Sequence, residues 1–304
     1  MIVPHSPQLR RLLAYVGLPL LLLFLYDAAI VLLFQVAGWK WIALPHIPLA
    51  LFGSAIGLIV AFRNNSSYGR WWEARTLWGG IVNNSRSWAR QVLSSIAPQK
   101  EEDREAVRTA QCRMVLLQIA WVHALRQQLR GQPPLDELHG LLTEDDLVAL
   151  KGQKNIPFAI QIWQGELVRE ALEKDWIDSL QWSALDSTLN DLADLQGGSE
   201  RIKNTPMPKQ YAFFPQLFTR MYCLLLPLAL VLNMGWFTPL GSTLVGFIFI
   251  ALDKIGRDLE DPFENTIYDI PLSSMSRTIE INLRQALGER SLPEALQPVA
   301  GVLW

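Results

Sequence analysis

The chain has 304 residues, of which 50% are hydrophobic, and a formal net charge of −2; its mean hydropathy is +0.16. This balance excludes a nucleic-acid partner held by bulk charge. The two cysteines, Cys112 and Cys223, exclude a disulfide framework or a cysteine metal motif. Apolar residues gather towards both ends around an amphipathic, charged middle, the pattern of an integral membrane protein with a sizeable water-exposed part.

Residues 12–37 form the first span, and no small-residue cleavage site follows the basic start MIVPHSPQLRR to make it a signal peptide. Trp39 and Trp41 stand where an aromatic belt meets the membrane surface, and Pro45 and Pro48 turn the chain into a second span. Asp27, near the middle of the first span, must face protein or water. It is either a functional carboxylate or a hydrogen-bonded lock between helices.

The second span, residues 47–62, continues without proline into a polar, basic stretch, so one long helix is expected up to Pro98. Its apolar part is shorter than the ~20 residues of a lipid-facing span. Gly53, Gly57 and Ala61 offer a small-residue face for close helix contact. Ser54, Leu58 and Phe62, four residues apart, share another face, drifting by roughly 40° per step. Copies of this helix in a ring would turn that face inward as a narrow apolar constriction. Ordinary bundle packing produces the same stripe.

The middle reads as helices over residues 102–130, which stop at Gly131, over an acidic pair between residues 135 and 150 capped by Thr143, and over residues 156–172 and 176–195. The last of these is expected to stop at Gly197 and Gly198. A third span follows at residues 212–234, with Arg220 near its start and Pro227 inside, and a fourth at 242–252 after a short connection holding Trp236. A capped amphipathic helix at residues 276–287 and a loosely held tail after Ser291 complete the chain. Four spans put both ends on one side, with Arg10, Arg11, the series Arg63 to Arg90, Arg201 to Lys209, Lys254 and Arg257; only Lys40 falls on the other. The positive-inside rule makes that side the cytoplasm.

Enzyme signatures are missing. His5, His46, His123 and His139 are scattered, and no nucleophile elbow, phosphate loop or dinucleotide fingerprint is present. Asp258, Glu260, Asp261 and Glu264, with Asp269 nearby, form the densest acidic cluster; it lacks EF-hand spacing and reads as a solvated acidic face.

The run FRNNSSYGRWWEARTLWG at residues 62–79 resembles the signature of bestrophins, particularly the prokaryotic branch. GGSERIKNTPMP at 197–208 and LEDPFENTIYDIPL at 259–272 are similar to further stretches of that family. Arg70, Trp71 and Trp72, with Asp261, Pro262 and Phe263, carry the resemblance, which covers nearly the whole chain. It implies an all-α membrane protein, a single channel unit over residues 1–304 with four spans and cytosolic helices over about 63–210 and 253–304, assembled as a homopentamer around one pore. By motif position the pore neck falls on Ser54, Leu58 and Phe62, where Ser54 departs from the bulky apolar residues usual in the family. A cytosolic aperture falls on Leu180, with Ile177 and Gln181 as neighbours. Asn265, Thr266 and Ile267 replace the acidic run of the animal calcium clasp, so no calcium gating and no metal are expected.

The function expected is a passive channel in the inner membrane for small monovalent ions (sodium, potassium or chloride), with no cofactor and no enzymatic activity. Acidic residues near the cytosolic mouth lean the selectivity towards cations. An anion channel, a non-conducting scaffold and, through Asp27, a proton-coupled transporter are the alternatives.

Overall fold

The computed structural model describes residues 1–2 and 9–304; the side chains of residues 9, 10, 12 and 13 also fall outside the description, so the expectations on His5 and the Arg10 side chain lie outside the described residues. The chain divides into two compact bodies, one of residues 4–71 and 206–261, the other of residues 1–3, 72–205 and 262–304.

In the first body, α1 (Leu9–Gln35), the start of α2 (Leu49–Ser95), α7 (Lys209–Met234) and α8 (Thr238–Asp258) are long and apolar. Helices α7 and α8 form one hydrophobic stretch that folds back on itself at Gly235, whose φ of 53° only glycine adopts easily, followed by a single 3-10 turn. Helix α8 therefore begins four residues earlier than residue 242 and ends well beyond 252. Helix α1 packs on both α7 and α8. The outward faces are apolar: Leu18, Leu22, Leu25, Phe213, Leu224, Leu240 and Leu244 are all exposed, more than a water-facing surface carries. Trp39 and Trp41 stack at 6.1 Å and are exposed, as are Trp236 and Phe237 in the α7–α8 turn, which α1 also meets at that end.

Small residues in this body mark close approaches. A Cβ on Gly246 would fall 2.3 Å from Leu23, and one on Gly53 would fall 2.7 Å from the Tyr222 hydroxyl. Gly57 has nothing within 4 Å, and Ala61 is exposed, so only Gly53 of the expected small-residue face is used within the chain. Asp27 is fully buried and accepts a hydrogen bond from Thr243 Oγ1 at 3.3 Å, which ties α1 to α8. Its Oδ1 is buried without a hydrogen-bond partner.

The second body is built around α3 (Arg104–Leu129), joined by the rest of α2, α4 (Glu144–Leu150), α5 (Ile156–Glu173), α6 (Ser179–Asn204) and α9 (Leu272–Ala286). From Met114 to Gln127 every residue of α3 except Leu116 (Leu116 is half-buried) is buried, so the helix is enclosed on all sides rather than amphipathic. Its polar groups are consumed inside: Gln164 donates to Gln118 and Gln118 to Ser85, both at 2.9 Å, joining α5, α3 and α2. Trp121 Nε1 donates to Gln196 Oε1 at 2.9 Å. Thr143 and Asp146 form the expected capping box of α4.

Three expectations are corrected here. Helix α6 does not stop at Gly197 and Gly198 but runs to Asn204. Both glycines are helical, and Gly198 is small because a Cβ there would lie 2.9 Å from Leu77 of α2; reciprocally, a Cβ on Gly80 of α2 would lie 2.8 Å from Leu195 of α6. Helix α9 begins at Leu272, four residues before Ser276, and has no side-chain cap at its N-terminus. The end of the tail is held rather than loose: Ser274 donates its backbone N–H to Trp304 at 2.6 Å, Leu303 donates to Met1 at 2.8 Å, and Val302 is buried.

Candidate functional site

Helix α2 has 47 residues and so spans about 70 Å. One face is buried at Val60, Arg63, Ser67, Ala74, Trp78, Ile81 and Ser85, a repeat close to the helical period. That stripe fixes the rotation of the helix and leaves Ser54, Leu58 and Phe62 on the exposed side, Leu58 at 57% and Phe62 at 62% exposure.

Arg63 decides how this face is charged. In sequence it looks like the first exposed cation after the apolar run. In the structure its side chain is 1% exposed and turned away, with Nη1 donating to Asp253 Oδ1 at 2.7 Å and Nη2 to the Asp253 carbonyl at 2.5 Å. Asn64 donates to the Leu252 carbonyl at 2.8 Å. A buried ion pair survives only with such added hydrogen bonds. No charge therefore stands on the exposed face from Leu49 to Phe62. Beyond it come Asn65, Ser66 and Gly69, polar but uncharged. Ser54 Oγ donates to the Ala50 carbonyl at 2.7 Å and Ser66 Oγ to the Phe62 carbonyl at 3.1 Å, so both hydroxyl protons are spent on the helix itself.

Arg70 Nε donates to the Glu260 carbonyl at 3.1 Å, and Trp71 stacks on Tyr68 at 6.3 Å. Trp72 is exposed, Asp261 is half-buried, Pro262 is buried and Phe263 is 1% exposed. Both signature runs lie where the chain passes from one body to the other.

In the second body Leu180 sits in the first turn of α6, 80% exposed, behind the capping box formed by Asp178 and Gln181. Ile177 points the other way and is buried, so of the three residues grouped at the aperture it is not presented to solvent. Among the described residues no three His, Cys, Asp or Glu side chains are placed to hold a metal ion. Asp258 accepts a hydrogen bond from Tyr15, and Asp269 accepts from Thr266 through its backbone N–H at 3.0 Å and its hydroxyl at 2.5 Å.

Sequence reasoning missed a buried polar cluster in the second body. His123 Nε2 lies 3.2 Å from Glu280 Oε2, and Arg284 and Arg277 lie 3.0 and 3.3 Å from the same carboxylate group. Arg126 pairs with Glu137. Burial pushes His123 below the usual histidine range. For Glu280 burial acts upward, but the contacts from His123, Arg284 and Arg277 outweigh it and hold the carboxyl at about 2. The sequence signal was two basic side chains three apart, His123 and Arg126, in the middle of a helix whose centre is mostly apolar.

A model of the family described as bacterial/fungal bestrophin protein matches residues 10–285. The chain belongs to this bestrophin family. A voltage-dependent anion channel-forming protein of Ralstonia nicotianae is 36% identical, covering 99% of this chain and 98% of its own. One of Escherichia coli O157:H7 is 33% identical, covering 97% and 96%. Among solved structures, a bacterial bestrophin homolog from Klebsiella pneumoniae matches with a TM-score of 0.83 at 30% identity, covering 91% of this chain and all of that one. This bestrophin thus shares its helical fold with the Klebsiella protein over nearly its whole length.

Proposed function

We propose that this bestrophin is an ion channel rather than an enzyme: a homopentamer in the inner membrane, crossing it four times per subunit with both termini in the cytoplasm. It passes small monovalent ions passively through a pore lined by α2. The observation that carries this reading is the uncharged, apolar, exposed face of Ser54, Leu58 and Phe62 on a helix whose rotation is fixed by the buried Arg63–Asp253 pair. A surface of that kind inside a membrane body needs either lipid or a wall of its own copies, and in a ring it becomes a constriction that gates by dewetting. Gly57 and Ala61, open within one subunit, leave room for a neighbouring copy beside it. Leu180 would form the second ring at the cytosolic exit.

An apolar neck has no sign preference of its own. The exposed carboxylates Asp175 and Asp178 beside Leu180 favour cations there. The anion reading has its own support, since the Ralstonia and Escherichia relatives are named as anion channel-forming proteins. With the acidic run replaced at Asn265, Thr266 and Ile267, conduction needs no calcium.

Purified protein in liposomes should pass ions without ATP, and Leu58→Ala and Phe62→Ala should each raise the flux several-fold. Unchanged flux in both removes the neck from α2. In a potassium chloride gradient the reversal potential should lie towards that of potassium; a value near that of chloride selects the anion reading.

A further inference from the structure

The first body has an open groove of about 370 Å³ between α1, α7 and α8. Its wall is apolar at one end, with Pro19, Leu22, Leu224 and Ile250, and polar at the other, with Gln216, Thr219, Arg220 and Arg257. Arg220 lies eleven residues into α7, about 16 Å along the helix axis from Lys209. Among the described residues no carboxylate or carbonyl bonds its guanidinium, although the charge sits in a membrane-crossing helix where an unmatched cation is costly. Thr219 beside it is a lining residue of the same groove and 2% exposed, and its buried hydroxyl has no hydrogen-bond partner. Arg257 is anchored by Asp253 at 3.3 Å but is nearly half exposed, and Asp253 is already paired with Arg63. The polar end is therefore lined by two arginines, and its one carboxylate, Asp253, is shared between Arg257 and the buried Arg63.

We propose that this groove holds one anionic phospholipid per subunit, drawn from the leaflet on the side where α1 and α7 begin. The phosphate lies against Arg220 and Arg257 and accepts a hydrogen bond from Thr219, while one acyl chain runs along Leu22 and Ile250. Three features require this occupant together. The groove is open, with exposed Leu22 and Leu224 on helices apolar enough to cross a membrane. Its apolar floor continues the lipid-facing surface. Its cationic end sits at the depth a long arginine side chain reaches from the head-group region. A soluble anion would fill the polar end and leave the apolar length bare. A zwitterionic lipid would bring its own cation against two arginines.

The test is native mass spectrometry of the detergent-purified, delipidated full-length protein, titrated with phosphatidylglycerol or with phosphatidylcholine of the same chain length. The wild type should retain phosphatidylglycerol preferentially. Arg220→Gln should lower that retention about fivefold and leave phosphatidylcholine unchanged, and Arg220→Lys should restore most of it. Leu22→Trp, which fills the groove without touching charge, should lower retention with the arginines intact. Equal retention of the two lipids by the wild type, or a preference that survives Arg220→Gln, overturns the proposal. So does competition by inorganic phosphate alone at the same concentration. Loss of oligomer mass in Arg220→Gln with the lipid preference intact would mean that Arg220 pairs with a neighbouring subunit, and also overturns it. None of these readings depends on ion flux, so the lipid site and the channel can fail separately.

Discussion

Removing the carboxylate of Asp253 should unfold the first body at a much lower temperature. Arg63 has a 1% exposed side chain and Asp253 a 6% exposed one. Asp253→Ala would leave a buried guanidinium with the Asp253 carbonyl, at 2.5 Å, and Asn64 as its neighbours but no counter-charge. Breaking one side of a buried pair costs about 3–5 kcal/mol. At roughly 2–4 °C per kcal/mol for a body of this size, the midpoint should fall by on the order of 10 °C. The double variant Arg63→Met/Asp253→Leu removes both charges and should recover most of that loss, because the desolvation of the pair offsets much of its attraction. Gly256→Ala should act on the same pair from the side, since its Cβ would fall 2.0 Å from Asn64 Oδ1 and 2.7 Å from Arg63 Nη2. In the Arg63→Met/Asp253→Leu background that substitution should still destabilise, because the nearer clash, with Asn64 Oδ1, remains. Thermal unfolding of the detergent-purified protein, followed by tryptophan fluorescence, reads all four. A double variant no more stable than Asp253→Ala would refute the reasoning, as would an Asp253→Ala midpoint within the scatter of the wild type.

Neighbouring glycines of α6 should respond in opposite directions. Gly197 has open space around its Cβ position, so Gly197→Ala should stabilise by about 1 kcal/mol through helix propensity. Gly198→Leu must displace Leu77 and should destabilise by about 1–3 kcal/mol. Acid should weaken the second body in two stages. His123 has a folded pKa below its unfolded 6.5, so its contribution is complete above that pH and is lost as pH falls through the lower folded value. Glu280, at about 2 against 4.5 unfolded, contributes above pH 4.5 and loses its share below it. His123→Gln should flatten the melting temperature between pH 6.5 and 4.5 and keep the fall below 4.5. Thr143→Ala should cost about 1 kcal/mol and speed hydrogen exchange across Glu144–Leu150, whose capping box it breaks.

Much of this architecture is written in local pattern. The long unbroken α2 follows from the absence of proline between Pro48 and Pro98, and the α7–α8 hairpin from two apolar runs around Gly235. What pattern could not supply was partnership. Gly197-Gly198 has the composition of a helix stop, yet the close approach of Leu77 outweighs glycine's reluctance to be helical. The centre of α3 carries Gln118, His123, Arg126 and Gln127 at positions that a periodicity count assigns to solvent. Each is buried because a residue more than nine positions away supplies its hydrogen bond or opposite charge. The tail was misread for the same reason, since its partners are Met1 and Ser274.

The candidate neck shows the same division. Spacing alone places Ser54, Leu58 and Phe62 on one face but cannot say whether that face looks into the protein or out of it. The burial of Val60, Arg63 and Ser67 turns it outward, and the Arg63 ion pair takes the nearest charge away from it. Ser54 looked from the sequence like a wetter position than its bulky counterparts in the family. The Ala50 carbonyl takes its hydroxyl proton at 2.7 Å, so what distinguishes Ser54 is chiefly its small volume. Ser54→Ala should then leave liposome flux near the wild-type value, whereas Ser54→Leu should narrow the outer end of the neck and lower flux several-fold. If Ser54→Ala lowers flux as much as Ser54→Leu does, the hydroxyl is hydrating ions in the neck, and the volume argument for this residue fails.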